Sequence, residues 1–176
     1  MRSLQRPIGR RYTSGLYGRE FEFAIVIGFD TPIGSDSAPL HTLVRDMLGA
    51  SATIRTMRDP TRGGLASSLN EIAARCGAGM VIEENALLIR EEVRGACELL
   101  GLDPLYVANE GKLVAIVAAD GASAVLDAMR RHPLGAEAAI IGEVTSAHPG
   151  LVTLKTSFGT TRVVDLLPGD QLPRIC

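Results

Sequence analysis

Three groups of residues in this 176-residue chain carry side chains suited to chemistry. The first is at the end, where Cys176 places a thiol on the last residue, beyond any helix or strand pattern. Pro173 stiffens the short arm that bears it, and Arg174 sets a fixed positive charge where it would favour the thiolate or hold an anion. A frayed, functionless end is the plainer reading of such a terminus. The second group is Asp59-Pro60-Thr61-Arg62-Gly63-Gly64, ahead of an apolar helical pattern. Two glycines let a ligand approach the backbone, amides at a helix start point outward, and Thr61 and Arg62 add a hydroxyl and a bidentate cation, a set that suits a phosphate. The same residues also make an ordinary capped helix packed closely on a strand, and they lack the Gly-Lys-Ser or Gly-Lys-Thr step of a Walker loop. The third group is Asn109-Glu110-Gly111-Lys112, just before the most apolar run. Glu110 is placed either to accept a proton from a bound substrate or to be a solvated turn carboxylate. Lys112 reads as a strand-edge charge. His41, His132 and His148 stand apart without a second ligand at metal spacing, which points to surface or capping roles and to no metal centre.

Composition removes several functional classes. Lys and Arg number 18 against 20 Asp and Glu, so no basic field steers the chain to nucleic acid or an anionic membrane. Charged or polar residues interrupt every hydrophobic stretch short of a membrane span, and the basic start up to Arg11 is not followed by a secretory core and cleavage site, so a cytoplasmic location is expected. Three cysteines form neither a disulfide framework nor a zinc site. Cys76 and Cys97 fall in helical patterns and are expected to be buried and inert, leaving Cys176 as the reactive thiol.

These groups need elements to position them. Residues 1–30 fit the rest poorly and read as a divergent leader or remnant, with a short apolar segment from Phe23 to Ile27. Ser35 or Asp36 is placed to cap a helix carrying Leu40, Leu43, Val44, Met47 and Leu48, with Gly49 as its stop. A strand is expected over 51–57, then a helix with Asp59 as N-cap and Pro60 as its first residue, burying Leu65, Leu69, Ile72 and Ala73 and ending near Gly77. A strand over 79–83 and a helix over 89–100 follow. The apolar run 112–118 predicts a central strand covered on both faces, and 122–131 a helix with Val125, Leu126 and Met129 inward. Strands over 138–145, 151–156 and 161–166 close the domain, the last two paired as a hairpin. The alternation predicts an α/β (α+β) two-layer sandwich, a mixed β-sheet with helices on one face.

The stretches Met57-Arg58-Asp59-Pro60-Thr61-Arg62-Gly63-Gly64-Leu65, Asn70-Glu71-Ile72-Ala73, Tyr106-Val107-Ala108-Asn109-Glu110-Gly111-Lys112 and the closing Pro173-Arg174-Ile175-Cys176 resemble the C-terminal half of the HypE hydrogenase maturation proteins. That family lies in the superfamily of aminoimidazole ribonucleotide and selenophosphate synthetases. The resemblance implies a PurM-like C-terminal domain over 31–168 and a flexible tail over 169–176. It implies that the carbamoyltransferase HypF loads a carbamoyl group on Cys176, and that ATP-dependent dehydration gives a thiocyanate with Glu110 as base. It further implies a nucleotide-phosphate cleft at Asp59, Thr61, Arg62, Gly63, Gly64 and Asn109, and Mg2+ accompanying ATP. The cyanide is then expected to pass to iron in the HypC–HypD complex, and a homodimer is a further expectation. The family's upstream ATP-binding domain has no counterpart in this sequence, which leaves catalysis by this chain alone open. Two other readings stand beside it: a non-catalytic module that binds maturation partners, and another ATP-dependent synthetase of the same superfamily.

Overall fold

Apolar side chains spaced three and four apart form helices that each bury one stripe, and alternating ones form strands that bury one face. The computed structural model describes residues 34–50 and 54–166. Its elements are α1 (His41–Ala50), β1 (Ile54–Arg58), α2 (Gly64–Cys76), β2 (Gly79–Glu83), α3 (Glu91–Leu100), β3 (Val114–Val117), α4 (Ala122–Arg131), β4 (Gly142–Thr145), β5 (Val152–Lys155) and β6 (Thr161–Val163). Among the described residues the strands form two sheets, an antiparallel β1–β3 ribbon and a mixed sheet in the order β4-β2-β5-β6. In the mixed sheet β2 runs antiparallel to β4 and parallel to β5, and β5 and β6 make the expected hairpin.

Two apolar clusters hold the layers together. Ala66, Leu69 and Ala73 of α2 pack with Met80, Ile82, Val152, Leu154 and Val164, and Leu105 and Val114 close that cluster. Leu43 and Met47 of α1 meet Val125 of α4, with Ile54, Met57, Ala115 and Val117 of the ribbon against them. Strand β3 is therefore a shared wall: Val114 and Ile116 face the first cluster, Ala115 and Val117 the second. That explains its unbroken hydrophobicity, since both of its faces are covered by packed side chains. Its place in the fold differs from the expectation, because it pairs with β1 alone and is not central in the larger sheet.

Other boundaries shift for local reasons. α1 starts at His41, because the Ser35 hydroxyl accepts the Ser37 amide and the Asp36 carboxylate is turned to Glu110. Gly49 does not stop it, the helix running through Ala50. Strand β4 begins only at Gly142. α2 starts at Gly64 with Gly63 as its cap and no side-chain cap bond, so Asp59 is not the N-cap and Pro60 is not its first residue. Cys97 is buried as expected, whereas Cys76 is exposed, although it continues the stripe of Leu69 and Ala73, because it is the last residue of α2. The Phe23–Ile27 segment and Cys176 lie outside the described residues.

The β5–β6 turn is held by Glu84, whose carboxylate accepts the Ser157 amide at 2.7 Å. Those Ser157 bonds, backbone first and hydroxyl second, hold the Glu84 carboxyl below its ordinary value of 4.5, with Arg162 and Arg94 adding to the effect. A carboxylate lowered on folding stabilises the native state above its unfolded value, and that contribution is lost as pH falls through the folded value. The melting-temperature difference between the parent and Glu84→Gln should therefore be present at neutral pH and close below about 4.5. A difference that does not vary with pH would count against this anchor.

Candidate functional site

Chain reversal between β1 and α2 needs two consecutive left-handed residues, which only glycine adopts freely. Gly63 and Gly64 supply them, at φ 68° and 61°. The Gly64 amide donates to Thr61 O at 3.3 Å and the Ser67 amide to Gly63 O at 3.1 Å. In the first turn the amides of Leu65 and Ala66 precede any intrahelical acceptor. Arg62 and Asp59 are exposed, Thr61 is half-buried, and Pro60 is buried beneath them. Arg58 pairs with Glu71, tying the end of β1 to α2 through a partly exposed ion pair of modest worth.

The second loop is built by its own polar side chains. Asp103 accepts the Leu105 amide at 3.0 Å and opens a short 3-10 turn, Pro104–Tyr106. Asn109 turns its side chain inward, donating to Val107 O at 2.8 Å and accepting from Lys112 Nζ at 2.7 Å. Glu110 is exposed in the bend, and its amide is shared by both carboxylate oxygens of Asp36, each at 3.3 Å. Gly111 lies so close to this segment that a Cβ there would come within 1.4 Å of Asp36 O.

The two motifs, far apart in sequence, meet. The Asn109 amide donates to Pro60 O at 2.9 Å. A Cβ on Gly64 would stand 2.5 Å from Leu105 O and 2.6 Å from Val107 O, so the start of α2 rests directly on the backbone of the second loop. Asp59 and Arg62 are exposed and Thr61 half-buried on one of the joined loops, and Glu110 is exposed on the other. Amides at a helix start are of a type that suits an anion, and Glu110 is an exposed carboxylate on the adjoining loop.

A third set of contacts reaches the same elements from the end of the domain. Asn70 of α2 donates to Val164 O at 2.8 Å as well as to Ala66 O at 2.9 Å. The Tyr106 hydroxyl donates to Asp165 O at 2.7 Å, and Arg162 pairs with Asp103 at 2.7 Å. Burial first, then the charges of Asp103 and Asp165, push the Tyr106 phenol up, which keeps it a donor. Asp36, and the roles of Asn70 and Tyr106 as anchors, were not foreseen from side-chain chemistry. The available signal was a polar residue, Asn70, beside the buried stripe of Leu69, Ile72 and Ala73. Among the described residues no three His, Cys, Asp or Glu side chains cluster to hold a metal. The hollow lined by Arg45, Asp46 and Arg131 and the one lined by Asn85, Arg130 and Glu137 contain none of the candidate residues.

Residues 13–155 match the family model of the AIR synthase related protein, C-terminal domain. The carbamoyl dehydratase HypE of Cupriavidus necator is 61% identical over 148 residues, covering 84% of this chain and 42% of that protein. The chain thus spans under half the length of such relatives. The crystal structure of hydrogenase maturation protein HypE in complex with ATP superposes with a TM-score of 0.78 at 44% identity, over 85% of this chain and 46% of that one. The HypE chain of a HypE–HypF complex does so with a TM-score of 0.74 at 46% identity, over 79% and 45%. At these identities the two-layer α+β fold is shared.

The junction of the two loops makes Gly64 and Gly77 an informative pair. Gly77 caps the other end of α2 at φ 63° in open space, so Gly77→Ala should cost only the left-handed penalty of about 1–2 kcal/mol. Gly64→Ala should cost roughly 1–3 kcal/mol more, from the clash with Leu105 O and Val107 O. Urea denaturation measures both, and equal losses would refute the close contact.

Proposed function

The chain belongs to the AIR synthase related protein, C-terminal domain family, and we propose that it supplies the thiol-bearing half of a carbamoyl dehydratase for [NiFe]-hydrogenase maturation. The observation that carries this reading is the Asn109–Pro60 junction, which sets Glu110 beside the Thr61-Arg62-Gly63-Gly64 helix start. Supporting it are relatives named carbamoyl dehydratase that share most of this chain's length.

In this reading Cys176 Sγ carries a carbamoyl group as a thiocarboxamide, received from the carbamoyltransferase HypF. The carboxamide oxygen is a poor leaving group, and the chemistry ATP supplies is a phosphoryl group that makes it a good one. Thr61, Arg62 and the helix-start amides fit phosphate oxygens, with Gly63 and Gly64 allowing close approach. Asp59 and Asn109 border that cradle, Asn109 by holding the loop in shape. Glu110 takes a proton from the carboxamide nitrogen as the C–O bond breaks. Loss of both nitrogen protons and of the oxygen, as phosphate, leaves a nitrile on sulfur, with no change in oxidation state. Mg2+ would enter with the nucleotide phosphates, and no ligand for it is assigned to this chain. The cyanide is then delivered to iron in the HypC–HypD complex, in the cytoplasm; no helix among the described residues is long and apolar enough to cross a membrane. We further propose a domain over 31–168 followed by a tail over 169–176, and a homodimeric assembly.

A second reading is favoured by how open the site is, since Asp59, Arg62 and Glu110 are all exposed. In it the chain is a carrier that docks partners without turnover. Mass analysis of the Cys176 peptide after incubation with the carbamoyltransferase, carbamoyl phosphate, ATP and a separately supplied ATP-binding domain of the family separates the two. The leading proposal expects gain of one carbamoyl group, then loss of one water. Glu110→Gln should leave the first step intact and slow the second by about 10²–10⁴-fold. A label that never loses water supports the carrier, and no label at all sinks both.

A further inference from the structure

Where α4 ends, one side chain makes two bonds that only an uncharged imidazole can make together. His132 follows the last residue of α4 and caps the short 3-10 turn Pro133–Gly135. Its Nδ1 accepts the Leu134 amide at 3.1 Å, and its Nε2 stands 3.0 Å from Thr42 Oγ1, in the first turn of α1. A backbone amide is always the donor, so Nδ1 bears no hydrogen and the one ring proton is on Nε2, given to Thr42. The turn closes the smaller core: Gly135 is buried, and a Cβ there would collide with Met129 O and Leu43 Cδ1. Five residues ahead of α1, Asp36 holds the Glu110 amide, and the Asp36 carbonyl and Ala38 amide lie against Gly111. One short path thus leads from the ring, through the start of α1, to the Glu110 loop.

We propose that His132 is a proton-sensitive latch: a proton taken from solvent at Nδ1 frees the first turn of α1 from the end of α4 and slackens the hold of Asp36 on the Glu110 loop. A second ring proton has only Nδ1 to occupy, where it meets the Leu134 N–H head-on. The Leu134 bond is lost, and two hydrogens in the space of one hydrogen bond turn the half-buried ring outward, off Thr42. A counter-ion would oppose this by holding the charged ring in place. The charged groups on the packed elements are His41, Arg45 and Asp46 of α1, Asp127, Arg130 and Arg131 of α4, and Glu137 beyond the turn. Asp46 is turned to Arg45 at 3.9 Å, Arg130 donates to Ala138 O, and among the described residues no carboxylate oxygen comes within 4.0 Å of the His132 nitrogens. Imidazole changes charge between about pH 5 and 8, so the latch opens on mild acidification. It acts on the Glu110 loop whatever that loop binds, and so stands apart from the dehydration reading.

Amide and imidazole NMR spectra of the full chain, recorded from about pH 7.5 to 5.5, test the latch. The expected result is an upfield shift of the Leu134 amide proton, with the Glu110 and Gly111 amides moving at the same midpoint as the His132 ring. His132→Asn, whose uncharged side chain keeps an acceptor for Leu134, should remove more than half of the movement at Glu110 and Gly111. Thr42→Val leaves the ring and removes its partner. It should keep the Leu134 titration and set Glu110 and Gly111 near their acid positions already at the start of the series, and it decides the matter alone if His132→Asn does not fold. His41 and His148 are common to all three proteins, so their titration cannot produce a difference among them. A ring still neutral at the acid end, Glu110 and Gly111 stationary while the ring titrates, or equal movement in His132→Asn overturns the proposal. The measurement needs neither carbamoyl donor nor nucleotide, so a failure of the dehydration chemistry would be seen separately.

Discussion

The arrangement depends on one close approach, the seating of Gly64 on the carbonyls of Leu105 and Val107. No other residue type offers both the left-handed backbone and the missing Cβ that this contact requires. Once it is made, the Asn109 amide is brought to Pro60 O, and a loop carrying a carboxylate becomes a continuation of a loop carrying a cation and a helix start. The surface is thus set by backbone packing more than by ion pairs, which are partly exposed and individually weak here.

Behind that contact stands the ribbon of β1 and β3. Its two faces belong to different cores, one around α2 and the mixed sheet, the other around α1 and α4. The first motif follows directly from β1 and the second leads directly into β3, so both loops issue from one end of the same antiparallel pair, where Arg58 is opposite Val114. Asp36, ahead of α1, then fastens the Glu110 loop from outside, with Gly111 pressed against its carbonyl. Loop conformation is in this way supported by elements on both sides of the wall.

Much of this was legible in the residues. Periodicity located β2, α3 and α4 closely, and the hairpin of β5 and β6 followed from apolar runs flanking the turn around Ser157 to Gly159. The fold joins the two loops that carry the motifs, through the Asn109 amide on Pro60 O. What pattern could not reveal was pairing over long range. The apolar run of β3 identifies two covered faces but not which strand lies beside it, because burial on both sides erases the alternation that would fix its partner. Helix starts were misplaced where a capping side chain had a competing tertiary use, as with Asp36, and where glycine geometry replaced a side-chain cap, as at Gly63. Exposed Cys76 was misjudged because it keeps the helical spacing of the buried stripe yet stands at the last residue of α2, where the pattern does not tell how far the covering core extends.

The strand order of the mixed sheet has a consequence for how the protein is made. Strand β2 is flanked by β4 and β5, Met80 lying beside both Val144 and Val152. At roughly 5–20 residues per second of synthesis, β2 would emerge some 3–14 s before β5 can reach it. Over that interval the edge of β2 that pairs with β5 has no partner, while the other edge waits a little less long for β4. The mixed sheet therefore closes through contacts of large sequence separation, the kind that forms slowly.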